Sequence, residues 1–417
     1  MSIAPDHFID EAKALACVHC GLCLSSCPTY LETGNENHSP RGRIHLMREI
    51  QNKRIPLGSI TVQHLDLCLG CRACEAACPS GVKYGELLEH TRDHVEREYS
   101  RSWFQSLLRR VAIEQVFPFP WRLKLCLLPG RMAKTLGLGC LLPRFARDAL
   151  DLLPEKISAG NIPQTSAASG KPRGRIGFIE GCVMQVMFAD TNRASLQLLN
   201  EAGWEVVTPS TQDCCGALYA HSGQLRKARE CARANIALFE QLNLDIIITN
   251  AAGCGSTLKE YGTLLANDPE WAERAEAFSA KVRDLTEHLN ASQFAADDSS
   301  LKVTYHDACH LAHPQGITTE PRALVKAVVG DNFIELPESD VCCGSAGSYN
   351  LTEPEMAARL QRRKIDNIIS TGADVVVTSN PGCLLQIQSG LRKAGTKIRV
   401  MHIADFLATG LSGPPSD

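Results

Sequence analysis

Two runs of cysteines are spaced too tightly for ordinary packing. Cys17, Cys20, Cys23 and Cys27, followed by Pro28, read C-x2-C-x2-C-x3-C-P, and Cys68, Cys71, Cys74 and Cys78, followed by Pro79, repeat the pattern. Thiolates are soft metal ligands. Three on one tight loop cap three irons of a [4Fe–4S] cubane, while the fourth, turned away by the proline, reaches a second cluster. One cluster is therefore expected on Cys17, Cys20, Cys23 and Cys78, and the other on Cys68, Cys71, Cys74 and Cys27. Zinc is the competing occupant, but zinc ribbons set their CxxC pairs apart, a poor match to four cysteines in eleven residues. Two cubanes side by side with no substrate residues nearby make an electron conduit. The segment 38–50 between them (HSPRGRIHLMREI) either packs on the clusters and tunes their potential or simply connects the motifs.

The spacing is the bacterial ferredoxin signature. A second cysteine pattern occupies the C-terminal half, where Cys182, Cys214, Cys215 and Cys254 are matched by Cys309, Cys342, Cys343 and Cys383. Vicinal cysteines followed by Gly216 or Gly344, with two more cysteines after other strands, suggest thiolates converging on a metal. The alternative is small buried hydrophobes, which the matching of all four positions in two copies makes a poor account. His306 and His310 flank Cys309, and His221 follows the first CCG. Hydrogen bonding to sulfur, proton transfer to a quinone and plain structural burial are all open for these histidines.

The elements that must position these residues are duplicated. RIGFIEGC (175–182) corresponds to KVTYHDAC (302–309), QDCCGA (212–217) to DVCCGS (340–345), and DIIITNAAGC (245–254) to DVVVTSNPGC (374–383). The continuous runs at 246–248 and 375–377 read as strands buried on both faces. Residues 225–242 and 353–369 have helical periodicity, so each copy alternates strand and helix in parallel α/β fashion. Cysteines following strands lie where open α/β sheets place ligands. The expected fold is α+β and multidomain, a helical ferredoxin-like domain followed by two tandem α/β repeats. The expected division is a dicluster domain at 1–100, a basic helical connector at 101–157, a linker at 158–174, a first repeat at 175–300 and a second at 301–417.

The doubled motif resembles the cysteine-rich CCG domain shared by heterodisulfide reductase, succinate:quinone reductase and several partners of flavoenzymes. It departs from the CxxC ending found in heterodisulfide reductase, because Cys254 precedes Gly255, Ser256 and Thr257, and Cys383 precedes Leu384, Leu385 and Gln386. That counts against thiol–disulfide reductase chemistry and leaves a four-cysteine site for a third [4Fe–4S] cluster or zinc. The whole order of parts, and the strings CVHCGLCLSSCPTYLETGNENHSPRGRI and QDCCGALYAHSG, resemble the iron–sulfur subunit of bacterial glycolate oxidase. The resemblance implies two flavin-binding partner subunits that oxidise glycolate to glyoxylate, with electrons passing towards membrane quinone. Small subunits of anaerobic glycerol-3-phosphate dehydrogenase and of lactate-utilisation complexes share the architecture.

Composition agrees with a folded electron carrier. The chain has 417 residues, 44% hydrophobic and 21% charged, with net charge −3 and 19 cysteines. That length calls for more than one domain. An odd cysteine count and no secretory h-region argue against a disulfide scaffold and for a cytoplasmic protein. No apolar run approaches the roughly 20 residues that span a bilayer, so membrane contact is expected to be peripheral, on the inner face. Residues 101–147 carry nine Lys or Arg against Glu114 alone, interleaved with aromatics. This stretch suits anionic lipid, a partner, or packing of the two halves. Nucleic acid is not expected, since no recognition motif accompanies the charge. Cys126 and Cys140 read as buried structural thiols. There is no G-x-G-x-x-G after a strand, no P-loop lysine and no Ser/His/Asp set, so no catalytic residue is assigned and the flavin site belongs on a partner.

Overall fold

A computed structural model describes residues 7–135, 151, 153, 157, 158, 160–294 and 300–412. Cys140 lies outside the described residues.

The N-terminal domain is helical. Ser39 caps helix Pro40–Gln51 by accepting a hydrogen bond from the Gly42 N–H (3.0 Å). This helix turns Ile44, Met47 and Ile50 inward against Leu65, Leu87, Leu88 and Val95, a three-residue spacing that keeps them on one helical face. Helices Ser59–Asp66 and Tyr84–Glu98 supply much of that core, and Phe8, Ile9 and Ala14 add to it from the N-terminal side. The cysteine loops emerge beside it, and Cys17, Cys23 and Cys78 pack against its edge.

The C-terminal half holds two sheets. The first is built from β1 (Thr165–Ser166), β2 (Arg175–Ile179), β3 (Glu205–Val207), β4 (Ile246–Thr249) and β5 (Val282–Asp284), in the order β1-β3-β2-β4-β5. The second is built from β6 (Val303–His306), β7 (Phe333–Ile334), β8 (Val375–Thr378) and β9 (Arg399–His402), in the order β7-β6-β8-β9. All pairs are parallel except β1 with β3. The duplication is thus structural: β2 and β4 stand to each other as β6 and β8 do, with Ile179 opposite Thr249 and His306 opposite Thr378. β1 comes from the stretch read as linker and adds an antiparallel edge. A two-residue extended pairing leaves no periodicity from which to expect it.

The repeats share one core, in which Phe178, Leu196 and Leu199 of the first meet Tyr305, Val375 and Leu407 of the second. Helix Ala189–Glu201 packs on Ile403–Ser412, and Thr191 Oγ1 donates to Asp405 across the seam (2.8 Å). The N-terminal domain is tied to both repeats. Arg72 pairs with Glu260, Arg363 with Glu32 (3.2 Å), and the Tyr349 hydroxyl donates to the Leu67 carbonyl (2.9 Å).

In the basic segment, helices Trp103–Arg109 and Pro120–Thr135 flank a wider turn at Arg110–Val116. Part of its charge is spent internally. Arg101 makes a two-pronged contact to Asp66 (2.5 and 3.1 Å) and reaches Glu96, and Arg109 bonds Glu96 (2.9 Å). Cys126 is exposed, contrary to expectation, because residue 126 falls between the exposed Leu125 and the cavity-lining Leu127, at the open edge of the helix. Among the described residues no helix is long and apolar enough to cross a membrane.

Candidate metal centres

The ferredoxin loops gather four thiols across the two motifs. Cys27, Cys68, Cys71 and Cys74 line one small pocket together with Arg43 and Tyr84, and all four are buried. Burial pushes Cys71 and Cys74 well above the usual thiol range, and neighbouring sulfurs add to it. Burial also opposes ionisation of Cys68, but the Arg43 and Arg92 charges, the Tyr84 hydroxyl and the Gly70 N–H outweigh it and draw that thiol down. Of the other set, Cys20 is exposed and Cys17, Cys23 and Cys78 are partly buried. Gly21 holds this loop at φ 86° against the Arg41 guanidinium, and Arg41 Nη1 donates to the His19 carbonyl (3.0 Å).

Arg43 is the residue that motif reading leaves unplaced. Its side chain is 1% exposed, donating to the His64 carbonyl (2.8 Å) and to Thr29 Oγ1 (3.1 Å). No carboxylate lies within ion-pair distance of it among the described residues. A buried guanidinium without an anion is costly. Cys68 and Cys27 are among the groups that hold its charge, so the pocket fits a net-negative thiolate-ligated cluster. Within 38–50, Arg43 and Pro40 line this pocket, and Arg41 lies against the loop of the other cysteine set.

Each C-terminal repeat brings its four cysteines together at the C-terminal ends of two neighbouring strands. Cys182 opens helix Cys182–Met187 after β2, Cys254 sits in helix Ala252–Lys259 after β4, and Cys214–Cys215 lie in the intervening loop. Cys309, Cys383 and Cys342–Cys343 repeat this around β6 and β8. The glycine after each vicinal pair is obligatory. Gly344 has φ 87°, and a Cβ there would meet the Ala357 carbonyl oxygen at 2.7 Å; Gly216 has φ 82° and a looser 3.2 Å to the Ala228 oxygen.

In the first set the thiols form a chain from Cys182 through Cys214 and Cys215 to Cys254, with 3.7 Å between the first two sulfurs. Contact with Cys182 and Cys215 pulls Cys214 well below the ordinary thiol range, while contact with Cys214 pushes Cys182 and Cys215 well up. In the second set Cys309 is pushed well up by its hydrogen bond to Cys342 and then by burial. Cys343 and Cys383 share their surroundings with His306, the three donor atoms lying within 4.8 Å of one another. Four converging sulfurs fit a thiophilic metal or cluster.

The two repeats open onto one cavity of about 460 Å³. Cys182, Cys214 and Cys254 line one wall, Cys309, Cys342 and Cys383 another, and Cys68 reaches its edge from the ferredoxin loop. Ile113, Phe117, Leu123 and Leu127 of the basic segment also line it. His221 and His310 meet there edge to face, ring centres 4.8 Å apart. His310 Nε2 donates to the Gly70 carbonyl (3.0 Å), and His221 Nδ1 contacts Glu89 (3.0 Å). Cys71 packs in the same apolar cluster as Cys309 and Cys342, so the second repeat's thiols adjoin a ferredoxin pocket. Arg92, which no sequence motif singles out, bonds both the Cys68 and His221 carbonyls.

Helical cysteine loops followed by a duplicated α/β unit with thiols at its strand ends define an iron–sulfur protein. Residues 13–82 match the 4Fe-4S dicluster domain, and 176–259 and 303–388 each match the cysteine-rich domain. The chain is 42% identical to the probable glycolate oxidase iron-sulfur subunit of Bacillus subtilis, covering 96% of this chain and 94% of that one. It is 34% identical to the glycolate oxidase iron-sulfur subunit of Escherichia coli, covering 95% and 94%. Lactate utilization protein A of Oceanobacillus iheyensis is 31% identical over 57% of this chain and 98% of that protein. This chain belongs to the family of glycolate oxidase iron–sulfur subunits.

Proposed function

We propose that this chain is the electron-transfer subunit of a flavin-dependent glycolate dehydrogenase, taking electrons from two flavin-binding subunits that convert glycolate to glyoxylate and passing them towards quinone. The observation that carries the reading is the adjacency of the thiol sites. They run from the exposed Cys20 loop, through the Cys27, Cys68, Cys71 and Cys74 pocket, to Cys309 and Cys342 at the cavity wall. When bound, each cluster supplies one-electron oxidation and reduction. The ligands proposed are Cys17, Cys20, Cys23 and Cys78 for one [4Fe–4S] cluster and Cys68, Cys71, Cys74 and Cys27 for the other, with the C-terminal sets holding further metal. The chain's own residues exclude water, balance charge through Arg43 and Arg92, and fix the loops; oxidation of the hydroxy acid falls to the partners.

A peripheral seat on the inner face of the cell membrane is part of this reading. Trp121, Leu125, Leu128 and Met132 are exposed at i, i+4, i+7 and i+11 along helix Pro120–Thr135, with Trp103, Leu107 and Val111 exposed nearby. An apolar stripe beside basic side chains suits a lipid interface. Leu123 and Leu127 of the same helix line the cavity, where a quinone headgroup would find His221 and His310.

The test is anaerobic purification with the partner subunits and assay of dye and quinone reduction. Glycolate-dependent reduction that needs this chain is the expected result. Reduction with lactate or glycerol 3-phosphate but not glycolate would replace the substrate assignment.

A further inference from the structure

The two cysteine-rich repeats are not chemically equivalent, and one buried side chain makes the difference. His306 ends β6, three residues before Cys309, and its counterpart at the end of β2, three residues before Cys182, is Ile179. Ile179 packs with Cys214 and Cys215 as hydrocarbon among sulfurs. His306 takes the same place at 0% exposure. Among the described residues neither of its ring nitrogens has a hydrogen-bond partner; the Ser339 backbone comes near without meeting hydrogen-bond geometry. A buried imidazole with both nitrogens unpaired gains nothing for its lost hydration, so packing alone does not account for histidine where isoleucine serves the other copy.

The geometry points to His306 as a nitrogen ligand of the metal centre in the second repeat, alongside Cys343 and Cys383, making that centre a mixed thiolate–imidazole site while the first repeat's is all-thiolate. The donor atoms of these three residues lie within 4.8 Å of one another, and no other group of three His, Cys, Asp or Glu among the described residues is as compact. A tetrahedral ion with sulfur at about 2.3 Å and nitrogen at about 2.0–2.1 Å places its donors slightly closer still, a small contraction from this arrangement. With one nitrogen on the metal, the other faces the Ser339 backbone, the orientation that outer partners impose on metal-bound histidines. Cys309 or Cys342 completes the set. The inference rests on the second cysteine set holding metal, and does not depend on which hydroxy acid the complex oxidises.

The experiment uses the full chain, purified anaerobically with and without ¹⁵N-histidine labelling, beside His306→Ile, which installs the residue the first repeat already accommodates. If the centre holds zinc, X-ray absorption is expected to show a nitrogen shell at about 2.0–2.1 Å beside sulfur at about 2.3 Å. If it holds iron, ¹⁵N-sensitive coupling from the labelled histidine is expected in pulsed electron resonance. The variant should lose that nitrogen signal and release the second-site metal to a chelator at least about tenfold faster, with its circular dichroism and the remaining iron unchanged. Sulfur-only coordination in the parent, or a folded His306→Ile with unaltered metal and spectrum, overturns the assignment of His306 alone. Absence of any metal beyond the eight irons of two cubanes overturns the premise that the second set is a metal site. Should the variant fail to fold, the parent's coordination shell decides.

Discussion

Arg43 shows how one side chain can set the behaviour of a cofactor site. It is fully buried, lacks a carboxylate partner among the described residues, and shares a pocket with Cys27, Cys68, Cys71 and Cys74. Its positive charge favours the reduced, more negative form of whatever those thiolates hold. A unit charge about 7 Å away, at an effective dielectric of about 20, is worth about 2 kcal/mol, which for one electron is on the order of 100 mV. Arg43→Met is therefore expected to lower the midpoint potential of that cluster by about this amount while leaving the other cluster within a few tens of millivolts. Redox titration followed by electron resonance measures both. An unchanged potential would mean that another charge, such as Arg92, dominates the site. Cys78 marks the complementary question of which loop serves which cluster. Cys78→Ser should damage the cluster anchored by Cys17, Cys20 and Cys23 and spare the other, and the reverse loss would reassign the ligands.

At the scale of elements, the cysteine sites depend on strand ends and on two glycines. The vicinal cysteines pack tightly only because Gly216 and Gly344 lie in left-handed conformations against the helices Leu225–Glu240 and Pro354–Thr371. Alanine at either position meets the conformational penalty, and at 344 it also meets a backbone oxygen at 2.7 Å. Gly344→Ala should cost about 2–4 kcal/mol and Gly216→Ala about 1–2 kcal/mol. Thermal unfolding should therefore rank the parent above Gly216→Ala and Gly216→Ala above Gly344→Ala; a reversed order would show that the loop after Cys343 yields more readily than its contacts imply. Element types are largely legible in the sequence. The β-branched runs at 246–248 and 375–377 form buried parallel strands, and the periodic stretches at 225–242 and 353–369 form helices. Cys126 departs from expectation because helix amphipathicity names a buried face only when the covering surface is known.

At the scale of the molecule, two repeats, a ferredoxin domain and a basic segment enclose one cavity. The apolar stripe on helix Pro120–Thr135, which also lines that cavity through Leu123 and Leu127, is the feature most open to test. Replacing Trp121, Leu125 and Leu128 with serine is expected to reduce co-sedimentation with vesicles of anionic lipid several-fold, with iron content unchanged, since each removes exposed apolar area outside the cysteine sites. Retained vesicle binding would move the contact elsewhere, and loss of partner binding instead would make the stripe a subunit interface. Arg101 and Arg109 contribute little to either outcome, being engaged with Asp66 and Glu96.

The sequence by itself determined the dicluster loops, the duplication, the parallel α/β character of each copy and the eight matched cysteines. These depend on local spacing: a loop of three thiolates two residues apart has few other uses, and strand or helix periodicity is carried within ten to twenty residues. Tertiary structure decided what comes from distant segments. It turned both cysteine sets onto one cavity, set Cys71 against Cys309 and Cys342, buried Arg43 beside Cys27 and Cys68, and brought His306 to Cys343 and Cys383. The one sequence signal for that last contact was the mismatch of His306 with Ile179 between the copies. Such a mismatch acquires meaning only once the tertiary structure sets the side chain beside sulfur, with no hydrogen bond among the described residues.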